Sequence, residues 1–329
     1  MRGLIRLLTT GAFVVLASGT TLPAQTRNLI YVSNEGSNSI SVIDTKSTYR
    51  RTIPVGSRPR GIAVSPDGKR VYVALSDNVA MKESSGDRIA VIDAQSGKVI
   101  ARYSSGSDPE QFGVTPDGRV LYASNEDAGL ASAIDLRTGR VLETMVVGIE
   151  PEGVAISPNG RWVYVTAETS NSVSVIDTRN NKVVATFLVD VRPRAAVFSP
   201  DGKRAYVSAE LGGSINVVDV EKHQVVGTIQ LERGEGKPVG VAVSHDGRWL
   251  YVANGRSSAV SVIDLSRNAV AASIPVGRRP WGIALSRDGR QLYTANGLSN
   301  DVSVVDIASR RVVRSIPVGQ RPWGVAVGR

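Results

Sequence analysis

The residues best suited to chemistry in this chain flank a proline that recurs along it. They are Arg58 and Arg60, Asp108 and Glu110, Glu150 and Glu152, Arg192 and Arg194, Lys237 and Val239, Arg279 and Trp281, and Arg321 and Trp323. Carboxylates here could exchange protons with a substrate, and arginine forks could hold a carboxylate. Tryptophan and arginine are also the residues in which binding hot spots are rich. A second set follows YVSN-like strings: Glu35, Asp77, Glu126, Asp127, Glu168 and Glu210, with Asn-Gly at Asn254 and Asn296. Two adjacent copies are acidic beside the proline, each next to a doubly arginine copy; the other three are basic and carry two tryptophans.

Most other chemistries are excluded. The 329 residues contain no cysteine, which removes disulfides, thiolate metal sites, covalently attached c-type haem and a cysteine nucleophile. Of the two histidines, His245 replaces the turn proline in SHDG and His223 lies in EKHQ, so both belong on peripheral turns away from any channel. A haem-binding propeller would therefore lack an axial ligand. Carboxylates at a channel mouth could take calcium, but no loop has EF-hand spacing, and no metal site is predicted. No nucleophile elbow, Walker A or dinucleotide-binding string stands in the required context. A net charge of +9 suggests an anionic partner, yet the arginines are spread over turns without stacking aromatics, so nucleic acid is not expected.

The elements that must position these residues form one unit written seven times. Landmark prolines stand at Pro59, Pro109, Pro151, Pro193, Pro238, Pro280 and Pro322. The aspartate closing VSVID-like strings recurs at Asp44, Asp93, Asp135, Asp177, Asp219, Asp264 and Asp306, where a turn-forming role is expected. A tyrosine recurs at Tyr31, Tyr72, Tyr122, Tyr164, Tyr206, Tyr251 and Tyr293. Each unit reads as four short strands: a small-residue GIAVS-like strand, an SPDG hairpin turn, two Val/Ile-rich strands and an outer strand. Four strands repeated seven times predict an all-β, seven-bladed β-propeller of four-stranded antiparallel blades. The repeat opens on a second strand (NLIYVSN) and ends on a first strand (WGVAV), so the C-terminal strand must complete the N-terminal blade. Trp162 and Trp249 follow hairpin turns and are expected to pack.

Residues 1–24 read as a cleaved signal peptide: Arg2 and Arg6, then the apolar Leu7 to Ala17, then Leu22-Pro23-Ala24. Residues 25–329 would be a single propeller domain, periplasmic or secreted, with no membrane span. Cleavage would lower the net charge from +9 to +7, because two arginines and no acids are lost.

The strings YVSN, YVTA, YVAN, VSVID and SPDG resemble the YVTN family of propeller repeats. Blade-specific segments are closer still to the propeller proteins associated with pyrroloquinoline-quinone (PQQ)-dependent catabolism. These include SGSDPEQF at 104–112, SNEDAG at 124–129, GIEPEGVAISPNG at 148–160 and VGQRPWGVAV at 318–327. The resemblance covers essentially the whole chain after residue 24. It implies a non-enzymatic periplasmic protein linked to a quinoprotein alcohol dehydrogenase, its cytochrome c acceptor or a transport component. PQQ itself is expected only in an associated dehydrogenase, and the propeller is expected to be a monomer with no bound cofactor. Departures from the pattern are the inserted Asn78–Gly86 and the short stretch from Glu232 to Gly236.

The expected ligand- or partner-binding residues at the channel mouth are Arg60, Glu110, Glu152, Arg194, Arg279, Trp281, Arg321 and Trp323. Two outcomes are open for their charges. They could pair within a blade, as Arg194 with Glu210 or Arg60 with Asp77, and merely hydrate the rim. Or they could form an asymmetric docking surface. The enzyme alternative is a propeller lactonase or lyase using mouth carboxylates and arginines.

Overall fold

Val- and Ile-rich runs of about six residues, separated by Asx-Gly and Asp-x-x turns, leave the chain few options besides antiparallel sheets. The computed structural model describes residues 28–47, 50–77, 84–231 and 236–328, and within them seven four-stranded sheets form. The strands nearest the axis are Ile62–Val64, Pro109–Val114, Pro151–Ile156, Pro193–Phe198, Pro238–Val243, Pro280–Leu285 and Pro322–Val327. Each lies beside the corresponding strand of the next blade, so the seven close into a ring. The chain is thus the all-β seven-bladed propeller that the repeat predicts.

Closure occurs where the phase of the repeat requires it. Pro322–Val327 pairs antiparallel with Leu29–Asn34, in the register Ile30 with Val327, Tyr31 with Ala326 and Val32 with Val325. This leaves neither end of the ring with an open sheet edge facing the axis. No helix among the described residues is long and apolar enough to cross a membrane. The expected signal peptide at residues 1–24 lies outside the described residues, as do positions 78–83 of the inserted loop and 232–235 of the short stretch.

Burial follows position in the blade. The two middle strands pack against neighbouring blades on both faces and are buried almost throughout, as in Trp162–Ala167 and Ser172–Asp177. Outer strands such as Lys182–Leu188 alternate exposed and part-buried residues. The core consequently lies between blades: Tyr164, Val173 and Val175 of one sheet meet Phe198, Val207 and Val218 of the next. The repeated aspartates do close turns. Asp93 Oδ1 accepts from Ser96, Asp135 Oδ1 from Thr138 and Asp306 Oδ1 from Ser309.

A hydroxyl seam near the mouth fixes four of the blades to their neighbours, while Ala74, Ala253 and Ala295 stand at the equivalent place in the other three. Ser124 Oγ accepts from the Gln111 backbone N–H and donates to the Glu152 carbonyl of the next blade at 2.6 Å. Ser208 does the same between Ala195 N–H and the Val239 carbonyl, and Ser33 between Gly324 N–H and the Arg60 carbonyl. Thr166 takes the equivalent place beside Gly153 and Arg194. The approach is close enough that a Cβ at Gly153 would strike the Arg194 carbonyl.

Candidate functional site

Two loops of every blade meet at one end of the axis, and backbone geometry holds them together. The residue before each landmark proline has a left-handed backbone: φ is 41° at Arg58 and Asp108, 57° at Glu150, 62° at Arg192, 49° at Lys237, 54° at Arg279 and 50° at Arg321. That conformation is costly for a non-glycine residue and doubly unusual before proline. In return, in the copies of Asp108, Glu150, Arg192, Lys237, Arg279 and Arg321 its carbonyl accepts the N–H of the turn after the second strand. The pairs include Glu35 to Arg321, Glu126 to Asp108, Glu168 to Glu150 and Glu210 to Arg192. The proline-flanking and turn residues are therefore brought together as the sequence predicts.

One turn residue is misplaced by sequence spacing. Arg70–Leu75 ends at Leu75, which occupies the place of Asn34 in the first blade, so Ser76 stands where Glu35 does and Asp77 lies one residue further on. The inserted loop hides this shift. Arg60 accordingly does not pair with Asp77; it reaches Glu35 at 3.1 Å, contacts Glu110 and lies 3.9 Å from Glu126.

Residues just after the landmark prolines encircle the mouth in the order Trp323, Arg60, Glu110, Glu152, Arg194, Val239 and Trp281. Within the acidic half, Arg194 is the hub. Its Nη1 is 2.9 Å from Glu152 Oε2 and also contacts Glu168, and its Nε donates to Glu210 Oε2 at 2.7 Å. Arg192 adds a 2.6 Å bond to Glu168. The expected Arg194–Glu210 pair is present, but the network crosses blades and does not hydrate a rim. Glu110, Glu152, Glu168 and Glu210 are 1%, 4%, 3% and 4% exposed, because neighbouring blades converge there. Buried charges of this kind must be paired to be tolerated.

Electrostatics follow from that burial. Burial first, then the hydrogen bond and charge of Glu152, hold the Glu168 carboxyl well above the ordinary glutamate range, against the pull of Arg194 and Arg192. Burial and the charge of Asp108 push Glu126 up to about 7, with Arg60 opposing. Burial disfavours the Arg194 charge, but Glu152, Glu168 and Glu210 together outweigh it and keep the guanidinium firmly protonated.

The opposite half is aromatic. Trp281 and Trp323 rings lie 6.0 Å apart at 44°, and Arg279 sits 4.9 Å from the Trp281 centroid. Arg321 is further out, paired with Glu35 at 3.3 Å. An axial cavity is bounded by Glu152, Arg194, Gln111, Trp281 and Trp323 together with the small residues of the first strands. Of the eight predicted mouth residues, Glu152, Arg194, Trp281 and Trp323 thus share one cavity. Arg60 and Glu110 form the adjoining ion network, while Arg279 and Arg321 stand outside the cavity wall.

Asp108, Glu110 and Glu126 each bring a carboxylate oxygen within 4.8 Å of the others, with Arg60 beside Glu110 and Glu126. The histidines are peripheral. His223 bonds Tyr164 Oη at 2.8 Å and lies edge-on to Trp162, so Trp162 packs as expected. His245 lies in the hairpin turn against Gly289. Sequence reading missed the seam hydroxyls, although Ser or Thr two residues before Glu35, Glu126, Glu168 and Glu210 was the available signal.

Comparison with known proteins agrees with the architecture. A family model described as "Lactonase, 7-bladed beta-propeller" matches residues 190–313, and a "Choice-of-anchor I domain" model matches residues 24–186. Antigen Lp49 of Leptospira interrogans is 34% identical over 107 residues, which span 30% of this chain and 24% of that protein. Hydrazine synthase of Kuenenia stuttgartiensis superposes with a TM-score of 0.76 at 23% identity, covering 85% of this chain and 93% of that one. A Bacteroides uniformis protein provisionally called a 6-phosphogluconolactonase does so with 0.76 at 16% identity, covering 92% and 100%. At these identities the two structures are similar in fold.

Proposed function

We propose that the protein is a lactone-hydrolysing propeller whose reaction takes place in the axial cavity. The observation that carries this reading is the Glu152–Glu168 carboxyl pair, buried on the Arg194 guanidinium at the cavity wall. Glu152 faces the cavity and is assigned as the acid–base residue, Glu168 shares its proton from behind, and Arg194 faces the developing oxyanion. Water attacks the lactone carbonyl carbon and gives a proton to Glu152 as the new C–O bond forms. Negative charge gathers on the carbonyl oxygen opposite Arg194. Collapse then breaks the ring C–O bond, and the ring oxygen takes the proton back from Glu152, leaving an open hydroxy acid. The lactonase match over 190–313 supports the reading, since that stretch supplies Arg194, Glu210 and Trp281.

The test is hydrolysis of a panel of five- and six-membered lactones by purified protein, with and without added divalent ion. Turnover above spontaneous ring opening is expected. None on any member of the panel, under either condition, would remove the reading.

A second reading rests on the rim, where Ile149, Val191 and Leu211 are 62%, 46% and 53% exposed beside the acidic half. An apolar rim next to charge suits protein docking. In this reading the chain is exported to the periplasm and docks, without catalysis, a component of PQQ-dependent alcohol oxidation. Co-purification of such a component, lost on Leu211→Glu, would favour it.

A further inference from the structure

We infer that the end of the ring opposite the mouth is a docking face for an anionic lipid surface. The inference does not depend on the lactone-hydrolase reading.

The first strands run from the mouth to that end, where two sets of turns emerge. Six are the SPDG-like hairpins after the first strands, and seven lead from the repeated aspartates to the outer strands. The hairpins are built alike. In all six a glycine N–H donates to the carbonyl of the residue that opens the turn, from Gly68 to Ser65 through Gly289 to Ser286, at 2.8 or 2.9 Å. Connections of unequal length, such as Leu75 to Arg88 and Gln230 to Pro238, join strands at the mouth end instead. The turns therefore present their side chains from a common level.

Charge at this end is lopsided even after every acid is counted. Each turn is taken from its opening serine, threonine or aspartate to the first residue of the strand that it feeds. The described residues of these turns include twenty lysines and arginines against thirteen aspartates and glutamates. Exposure widens the difference, since eighteen of the cations are exposed and only six of the acids. Other acids fold back onto their own turns, as Asp93, Asp135 and Asp306 do on Ser96, Thr138 and Ser309. Those bonds hold the three carboxyls below the usual aspartate range, so they count as full charges. Arg161 and Arg179 share Asp177, and Arg204 pairs with Asp219. The excess of cations survives these pairs, and every blade contributes to it, from Lys46 in the first to Arg310 in the last.

That even spread decides the occupant. A protein interface is built round an apolar centre. None of the exposed large hydrophobic side chains among the described residues lies in these turns. They stand at the mouth, as Ile149, Val191 and Leu211 do, or on outer strands, as Val146 and Leu188 do. An anionic bilayer is flat and carries its charge evenly, so each cation near it gains from the same surface potential. Bound in this way, the chain turns its mouth away from the lipid and the axial cavity stays open to solutes.

The experiment is co-sedimentation of the full chain with phosphatidylcholine vesicles, with and without about 30% phosphatidylglycerol, at about 0.05 M and about 0.5 M salt. At low salt, binding to the anionic vesicles is expected to exceed binding to the neutral ones by about tenfold or more, and to vanish at high salt. Two charge-reversed proteins locate the face. Lys222→Glu with Arg267→Glu alters the turns and is expected to weaken binding severalfold. Arg256→Glu with Arg278→Glu changes the net charge equally at the mouth end and is expected to leave binding near the wild-type value. All four positions are exposed, and circular dichroism checks that both proteins fold. Equal binding to the two kinds of vesicle overturns the inference. So does an equal loss in the two variants, which would make net charge alone the cause. No binding to the anionic vesicles overturns it too, and retention on immobilised polyglutamate in that case would assign the face to an acidic protein.

Discussion

The Arg194 guanidinium lies 5.3 Å from the centre of the Trp281 ring while its Nη1 stands 2.9 Å from Glu152. One side chain therefore ties the acidic half of the mouth to the aromatic half, passing Val239, the small residue between them. Arg194→Ala would leave Glu152, Glu168 and Glu210 buried around an empty place. It should lower stability by about 3–5 kcal/mol, the usual cost of breaking a buried ion pair from one side. Chemical denaturation measures this, and Arg194→Lys should recover only part, since lysine has no fork to share among three carboxylates.

The Glu126 carboxyl gives the stability a pH slope. Its value rises from 4.5 to about 7 on folding, so between those limits the folded chain holds a proton that the unfolded chain has released. Stability from this group is therefore complete below about pH 4.5 and is lost as pH climbs to 7. Relative to wild type, Glu126→Gln should gain about 2 kcal/mol between pH 4.5 and 7, allowing for partial solvent screening. Denaturation curves at the two pH values check it, and an equal difference between the proteins at both would count against the assignment.

Ser124 holds Gln111 N–H and the Glu152 carbonyl of the next blade at 3.1 and 2.6 Å. Ser124→Ala leaves both backbone groups buried without this partner and should cost about 1–3 kcal/mol. Because the lost bond anchors Glu152, turnover should fall alongside the melting temperature.

At the closure, Val325 is 9% exposed and packs with Val32, Val302 and Val304. Val325→Asp places an unpaired charge in that seam and should destabilise the ring by about 4 kcal/mol or more. Thermal unfolding by circular dichroism reads this directly.

Trp281→Ala with Trp323→Ala should raise KM by about tenfold while leaving kcat nearer its wild-type value. The two rings bound the cavity and Trp281 also lies against Arg194, but neither supplies a proton.

Blade number, strand order and closure were legible because Pro, Tyr and Asp recur in the same order in every copy. The identities of the mouth residues were legible too, as the positions where copies differ. Their pairing was legible only within a blade, as Arg194 with Glu210, and not across blades. Arg60 finds partners 25 and 50 residues away, in the blades on either side, and nothing in a repeat says how deeply those side chains are buried. Asp77 was misassigned because the inserted loop follows it directly, so local spacing could not reveal that Ser76 takes the place of Glu35. Both histidines lie on peripheral turns, which leaves the sequence without the commonest acid–base residue. The buried carboxyl pair on Arg194 offers acid–base chemistry without one.

The most direct measurement is the hydrolysis rate of D-glucono-1,5-lactone by wild type and by Glu152→Gln, at equal concentration and with melting temperatures in hand. The account predicts wild-type turnover well above spontaneous opening and a loss of about a hundredfold in the folded variant, as expected for removing a positioned acid–base group. A folded Glu152→Gln protein that hydrolyses the lactone at the wild-type rate would contradict it, as would a wild type no faster than buffer.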